Sequence, residues 1–205
     1  METNNSRQAA WVAMGSLFSF GFSIVSSMIL SRYFDKADYG TYKQVMYVYN
    51  TLLTVFTLGL PKAYSYFLPR VNPQEAKDLI NKITRLFFLL GGVFSILLFL
   101  GASLIAQFLK NPDLEIALRY FSLVPFLMLP TMGLEGILST YKKTKFLAGY
   151  TITTRLFMLC CVALPVMIFN LDYIGAIIGF VIASIFSAFL ALYLKVYPVR
   201  NNIKN

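Results

Sequence analysis

Histidine is absent from this 205-residue sequence, which excludes chemistry that needs an imidazole: Ser-His triads, HExxH zinc sites and His-dependent phosphate transfer. Charge is also scarce. Asp, Glu, Lys and Arg make up 13% of the chain and 58% is hydrophobic, whereas a soluble domain carries about 25% charged residues. A soluble globular domain is thereby ruled out. The two cysteines, Cys160 and Cys161, are adjacent inside an apolar run, which suits neither a disulfide framework nor a zinc site. They read as packing residues. The sequence has no GxxxxGK[ST] loop to hold ATP by the P-loop route. Its acidic residues are too few and scattered for a general acid/base pair, and Asp172 stands alone where an aspartyl intramembrane protease would need two membrane aspartates. No enzyme, metal site or cofactor is expected.

What is present is apolar length. Six segments, each long enough for the roughly 20 residues of a membrane span, are separated by turn chemistry or charge. They cover about 8–31, 41–67, 83–109, 117–140, 146–169 and 173–196. The sequence therefore predicts an all-α integral membrane protein, a single bundle of six transmembrane helices with no room for a separate extramembrane domain. The first segment is too long for a signal-peptide core and has no cleavage pattern behind it. The third begins in water, where Asn72-Pro73-Gln74-Glu75 supplies an N-cap, a proline at the first helical position and a Glu at N3.

The net charge of +9 matters less than where each charge falls. Arg7, Arg70, Lys77, Lys82, Arg85, Lys142, Lys143, Lys145, Lys195, Arg200 and Lys204 fall on one side, eleven of the 18 basic residues. Arg32, Lys36, Lys43, Lys110 and Arg119 fall on the other. Basic loops stay cytoplasmic, so both termini are expected in the cytoplasm. Membrane lipid rather than nucleic acid is the expected partner.

Two helices carry polar faces. Ser16, Ser19, Ser23, Ser27 and Ser31 recur at steps of three and four, as do Tyr47, Asn50, Thr54, Thr57 and Pro61, followed by Tyr64 and Ser65. Lipid tails satisfy none of these groups, so the stripes face either a neighbouring helix through small residues or a hydrated cavity. Pro61, Pro125, Pro130 and Pro165 fall inside spans and are expected to kink them. Three charges lie at membrane depth: Lys62, Glu135 and Arg155, at roughly 9, 9 and 15 Å from the same face at 1.5 Å per residue. Two readings remain open. One is a structural Glu135–Arg155 pair with Lys62 snorkelling. The other makes Lys62 and Arg155, with Asn50, Thr54 and Ser23, the binding groups for an anionic head group, and Glu135 a counter-ion or coupling site.

The residues Ser26-Ser27-Met28-Ile29-Leu30-Ser31-Arg32-Tyr33-Phe34, the turn Asp38-Tyr39-Gly40-Thr41-Tyr42 and the element Leu58-Gly59-Leu60-Pro61-Lys62-Ala63-Tyr64 resemble the N-terminal part of bacterial polysaccharide-export flippases. These form the O-antigen and capsule branch of the multidrug/oligosaccharidyl-lipid/polysaccharide exporter superfamily. The similarity continues through Tyr141-Lys142-Lys143-Thr144-Lys145 and covers nearly the whole chain. It implies a flippase lobe that carries undecaprenyl-pyrophosphate-linked oligosaccharide across the inner membrane, for lipopolysaccharide or capsule assembly. It also implies a two-lobe fold in which helices one and two line a central cavity. A basic cavity suits a pyrophosphate, and the two lobes would rock about it in alternating access. Cation-exporting relatives would be expected to carry acidic residues in spans one and two, which have none.

Members of that group are roughly twice this length, so the expectation is a truncated product, or a cavity completed by a second six-helix half or a second copy. The competing classes are a cation-coupled small-molecule exporter and a non-transporting membrane assembly subunit. A reporter active only outside the cytoplasm, fused after Lys204, is expected to be silent; an active fusion overturns the orientation.

Overall fold

The computed structural model describes the backbone of residues 2–57 and 59–202 and the side chains of 6–57, 59–72 and 74–196. Leu58, Pro73, Arg200 and Lys204, used above, lie outside the described side chains. The helices are α1 (Glu2–Tyr33), α2 (Lys36–Thr57), α3 (Pro61–Phe67), α4 (Pro73–Phe108), α5 (Asp113–Phe121), α6 (Leu123–Met128), α7 (Leu134–Thr140), α8 (Thr144–Phe169) and α9 (Tyr173–Asn202), with 3-10 turns at Leu68–Arg70 and Leu129–Thr131. No strand occurs among the described residues. Five helical stretches are long and apolar enough to cross a membrane: Ser6–Tyr33, Gln74–Phe108, Asp113–Thr140, Thr144–Phe169 and Tyr173–Val196. Large side chains such as Leu17, Leu89, Leu100, Leu104 and Phe189 stand exposed. Such apolar surface is untenable in water and suited to lipid. The chain is a multi-pass membrane protein.

The expected span 41–67 differs from the structure. It is not one helix: α2 ends at Thr57, Gly59 adopts φ +78°, and α3 starts afresh at Pro61. The cause is local, since a left-handed glycine followed by a proline with no N–H cannot continue a hydrogen-bond ladder. The segment still runs the length of the bundle. Thr41 near its start accepts from Asn111 Nδ2 at 2.9 Å, and Tyr64 near its end meets Thr84 Oγ1 at 2.9 Å through its hydroxyl. Asn111 lies in the turn that follows α4, and Thr84 lies in the first third of that helix. The expected span 117–140 is also interrupted, at Ser122 and at Leu129–Thr131, whereas Pro165 lies within an uninterrupted α8.

The remaining elements follow from sequence more directly. At the start of α4, the Asn72 N–H donates to the Glu75 carboxylate at 3.2 Å and Ala76 N–H closes the first turn on Asn72 O, as the Asn-Pro-x-Glu pattern demands. Along α4, Ala76, Ile80, Phe87, Phe94, Leu98, Ala102 and Ala106 form a buried stripe at helical spacing. α9 is the central helix, packed against α2, α4, α5, α6, α7 and α8, while α1 lies mainly along α8. Small residues permit this. Ala176, Ala183, Ser184, Ser187, Ala188 and Ala191 are buried on α9, and Gly179 abuts the Cys161 carbonyl of α8 so closely that a Cβ there would overlap it. An aromatic chain joins four elements: Phe56 stacks on Phe94 at 4.5 Å, Tyr49 meets Phe121 at 5.2 Å, and Phe121 meets Phe180 at 5.2 Å. Such pairs add about 0.5–1.5 kcal/mol each beyond area burial.

The two ends of the bundle differ in charge. Arg70, Lys77, Lys82, Arg85, Lys142, Lys143 and Lys145 stand at the end where α4 and α8 begin. At the other end Asp38 is flanked by Asp35, Asp172 and Asp113, and its carboxyl is held above the usual range by burial and then by these three charges. An acid whose folded value is raised contributes stability at low pH that is lost as pH rises through its titration. Asp38→Asn is therefore expected to raise the unfolding midpoint at pH 7 and to converge on the wild type as pH falls below the ordinary carboxylate range; a gap that widens on acidification contradicts this. Gly179→Ala is expected to cost about 1–3 kcal/mol by overpacking in denaturant unfolding of the solubilised protein. Gly21→Ala, with no atom within 4 Å of the added methyl, is expected to be neutral or slightly stabilising.

Candidate functional site

A hollow of about 490 Å³ lies between α1, α2 and α8, with Met128, Thr131, Met132 and Phe180 completing its wall. α1 contributes Ser23, Ser26 and Ser27; α2 contributes Tyr42, Lys43, Met46, Tyr49, Asn50 and Leu53; α8 contributes Arg155 and Met158. A side hollow of about 200 Å³ shares Met128, Thr131, Arg155 and Met158 and adds Tyr150, Thr151, Thr154 and Ser187. Arg155 therefore stands at the junction of the two. Its guanidinium has no carboxylate within ion-pair distance, since the one ion pair among the described residues is Arg119–Glu115 at 2.7 Å on the surface of α5.

The expected site residues are placed unequally. Ser23, Asn50 and Arg155 line the cleft. Thr54 lies one turn beyond, exposed, its hydroxyl donating to Asn50 O at 3.1 Å. Lys62 and Glu135 are exposed in the first turns of α3 and α7 and are absent from the cleft wall. The proposed Glu135–Arg155 pair does not form: Glu135 follows the break at Gly133, which turns it outward. The polar face of α2 is also rotated from the expected stripe. Tyr42, Lys43, Met46, Tyr49, Asn50 and Leu53 line the cleft, from which Lys43 and Asn50 remain accessible, while the exposed Tyr47 and Thr54 are not part of its wall.

Lys43 is the cleft-lining cation that sequence reasoning missed, because it was counted as a loop charge. It sits two turns into α2, donates to Ser27 Oγ at 3.1 Å and lies 5.2 Å from the centre of the Tyr39 ring. The signal was its seven-residue spacing from Asn50, which places both on one helical face. The Asn50 amide donates to Met46 O within its own helix at 2.8 Å, which leaves its oxygen unused by that bond.

A second polar cluster lies at the basic end. Lys195 of α9 is buried with 1% exposure, although it was assigned to the solvated loop charges. Its ammonium donates to Met132 O at 2.7 Å and to the Tyr64 hydroxyl at 3.3 Å, and it lies 4.8 and 5.7 Å from the Tyr64 and Phe87 ring centres. The Tyr64 ring packs where Gly133, at φ +78°, has no Cβ to obstruct it.

The sequence model of a family described as polysaccharide biosynthesis protein matches residues 6–204. Neither the curated proteins nor the solved structures compared with the chain gave a match. Because the match runs through every described helix and takes in both the cleft and the Lys195 cluster, the chain belongs to the polysaccharide biosynthesis protein family.

Proposed function

We propose that the chain is a flippase lobe that translocates undecaprenyl-pyrophosphate-linked oligosaccharide across the bacterial inner membrane, with both termini cytoplasmic. The observation that carries this reading is the charge of the cleft: Lys43 and Arg155 line it and no acidic residue does. A pyrophosphate has oxygens enough for both cations, with Arg suited to bidentate contact and Lys acting as a point charge. Lys43 and Arg155 are both accessible from the open cleft, and Met46, Met128, Met132 and Met158 supply apolar surface beside them. The hydroxyls of Ser23, Ser26 and Thr131 and the Asn50 amide offer neutral partners for the attached sugar. A cleft of this size holds a head group, and the lipid chain has the exposed apolar face of α1 beside it.

The cation-coupled exporter is the weaker reading, because a cation would meet Lys43 and Arg155 with no compensating carboxylate in the wall. The basic end of the bundle supports a cytoplasmic assignment for it. A second six-helix half, or a second copy, would close the open side of the cleft along α1, whose apolar span is 6% buried.

The test uses the full chain in phosphatidylethanolamine/phosphatidylglycerol nanodiscs, with farnesyl pyrophosphate and farnesol as probes. Saturable binding is expected for the pyrophosphate alone. Arg155→Ala and Lys43→Ala are each expected to weaken it about tenfold, the loss of one charge-assisted contact, and Lys62→Ala and Glu135→Ala to stay within about twofold. Equal binding of the two probes, or wild-type affinity in both cleft variants, refutes the reading and favours a non-transporting assembly subunit.

A further inference from the structure

The Lys195 cluster lies where three departures from regular structure converge. The first is the α2–α3 break, where Gly59 takes φ +78° and Leu60 N–H turns back to Thr57 O at 2.7 Å. The second is the α6–α7 break, where Met132 is extended (ψ 151°) and Gly133 again takes φ +78°. The third is a lysine near the end of an apolar span. Each alone is costly in lipid, since a broken ladder frees a carbonyl and a cation loses its water. Together they offset one another: the freed Met132 carbonyl and the Tyr64 hydroxyl accept from the ammonium, and Thr84 Oγ1 holds the Tyr64 hydroxyl in turn.

The cluster also stands between two apolar cores. Tyr64, Phe87 and Leu129 belong to the main one, which runs through α2, α4, α5 and α9. Leu134, Leu138, Leu147, Ala191 and Leu194 form a separate smaller one, built on α7 and the adjoining ends of α8 and α9. The short helices α3 and α7 pack on each other. The Tyr64 ring occupies the space at Gly133, and Ser65 Oγ comes within 2.6 Å of where a Cβ on Gly136 would stand. α3 is cut off from α2 and α7 from α6 by these breaks. Thr131 and Met132, immediately before the second break, are part of the cleft wall.

We propose that Lys195 is a positioning residue: a latch that holds α3 and α7 against the bundle as one unit and thereby sets the Thr131–Met132 wall of the cleft. When the latch opens, the two short helices swing together about Gly59 and Gly133, and the cleft loses its wall at that point. The inference concerns the chain's own mechanics and does not depend on which cargo the cleft takes.

Hydrogen–deuterium exchange of the full chain in nanodiscs tests this without any ligand. Lys195→Met keeps the length of the side chain and removes the donor. It is expected to raise exchange at 132–136 and at 64–68 together, by about tenfold, since a local opening is set by the bonds that hold it shut. Peptides of α4 from 94 to 106 should stay at wild-type rates. Lys195→Arg, which still donates, is expected to return both regions to within about threefold. Unchanged exchange in Lys195→Met, or a rise in one region without the other, overturns the latch. Should Lys195→Met lose protection in α4 as well, Tyr64→Phe decides: it keeps the ring and removes the hydroxyl, and both regions should loosen by about threefold. Wild-type exchange in Tyr64→Phe would then overturn the proposal.

Discussion

Inside a bilayer no water is available to a freed backbone group, so every interruption of a helix must be answered by another part of the protein. The chain interrupts its helices repeatedly and answers each break with a named partner. Around the proline-containing turn of α6, Phe126 N–H donates to Ser95 Oγ of α4 at 3.0 Å, and Ser122 Oγ donates back to Arg119 O at 2.7 Å. At the 3-10 turn, Thr131 Oγ1 donates to Met128 O at 2.7 Å. One residue later the Met132 carbonyl takes the Lys195 ammonium. The α4–α5 turn is tied to α2 by Asn111, whose amide donates to both Thr41 and Gln44. These side chains fix where the helices bend, and the bends fix where the cleft opens.

Close approach between helices supplies the second half of the architecture. Lipid tails are as apolar as leucine, so burial of apolar surface does not draw helices together here as it does in water. Contact must come from shape. Gly91 sits against the Pro125 carbonyl, Gly179 against that of Cys161, and Gly15 against Ala148. The first two let backbones approach within a distance that a side chain would forbid, whereas Gly15 has room for a Cβ in ordinary contact. α9 adds to Gly179 a run of small buried residues, Ala176, Ala183, Ser184, Ser187, Ala188 and Ala191, which is why it can serve as the central helix. α1, with few of them outside its contact with α8, stays at the edge and leaves the cleft open on that side.

What could be read from the sequence divides along physical lines. Apolar length and cap chemistry act locally, so the long helices and the start of α4 at Asn72 were legible. The break after α2 was half legible: Gly59 and Pro61 were seen as a motif, and the expected kink proved to be a full interruption. The rotation of the α2 face was only partly legible: Asn50 belonged to the expected stripe, but Lys43, Asn50, Tyr47 and Thr54 are all polar and accessible, and only packing against neighbouring helices decides which of them border the cleft. Lys195 was hidden for a similar reason. A lysine next to the end of a span ordinarily reaches the interface; it is buried here because two glycines, distant in sequence, leave space for Tyr64 and expose a carbonyl.

The cleft and the latch meet at Thr131 and Met132. Both residues face the hollow that Lys43 and Arg155 make basic, and the Met132 carbonyl is held from the opposite side by Lys195. A rigid wall would need no break at this level, and an unbroken helix from α5 to α7 would satisfy its own carbonyls at lower cost. The chain instead places an extended residue and a left-handed glycine at the wall of its cleft, then spends a buried cation to hold them. A break so placed is weak enough to move and is held by one side chain rather than by a ladder. On the proposed reading, an anion held by Arg155 lies in the same hollow as Thr131 and Met132, and the Met132 carbonyl is the one that the Lys195 ammonium holds, so the cleft and the latch share one wall.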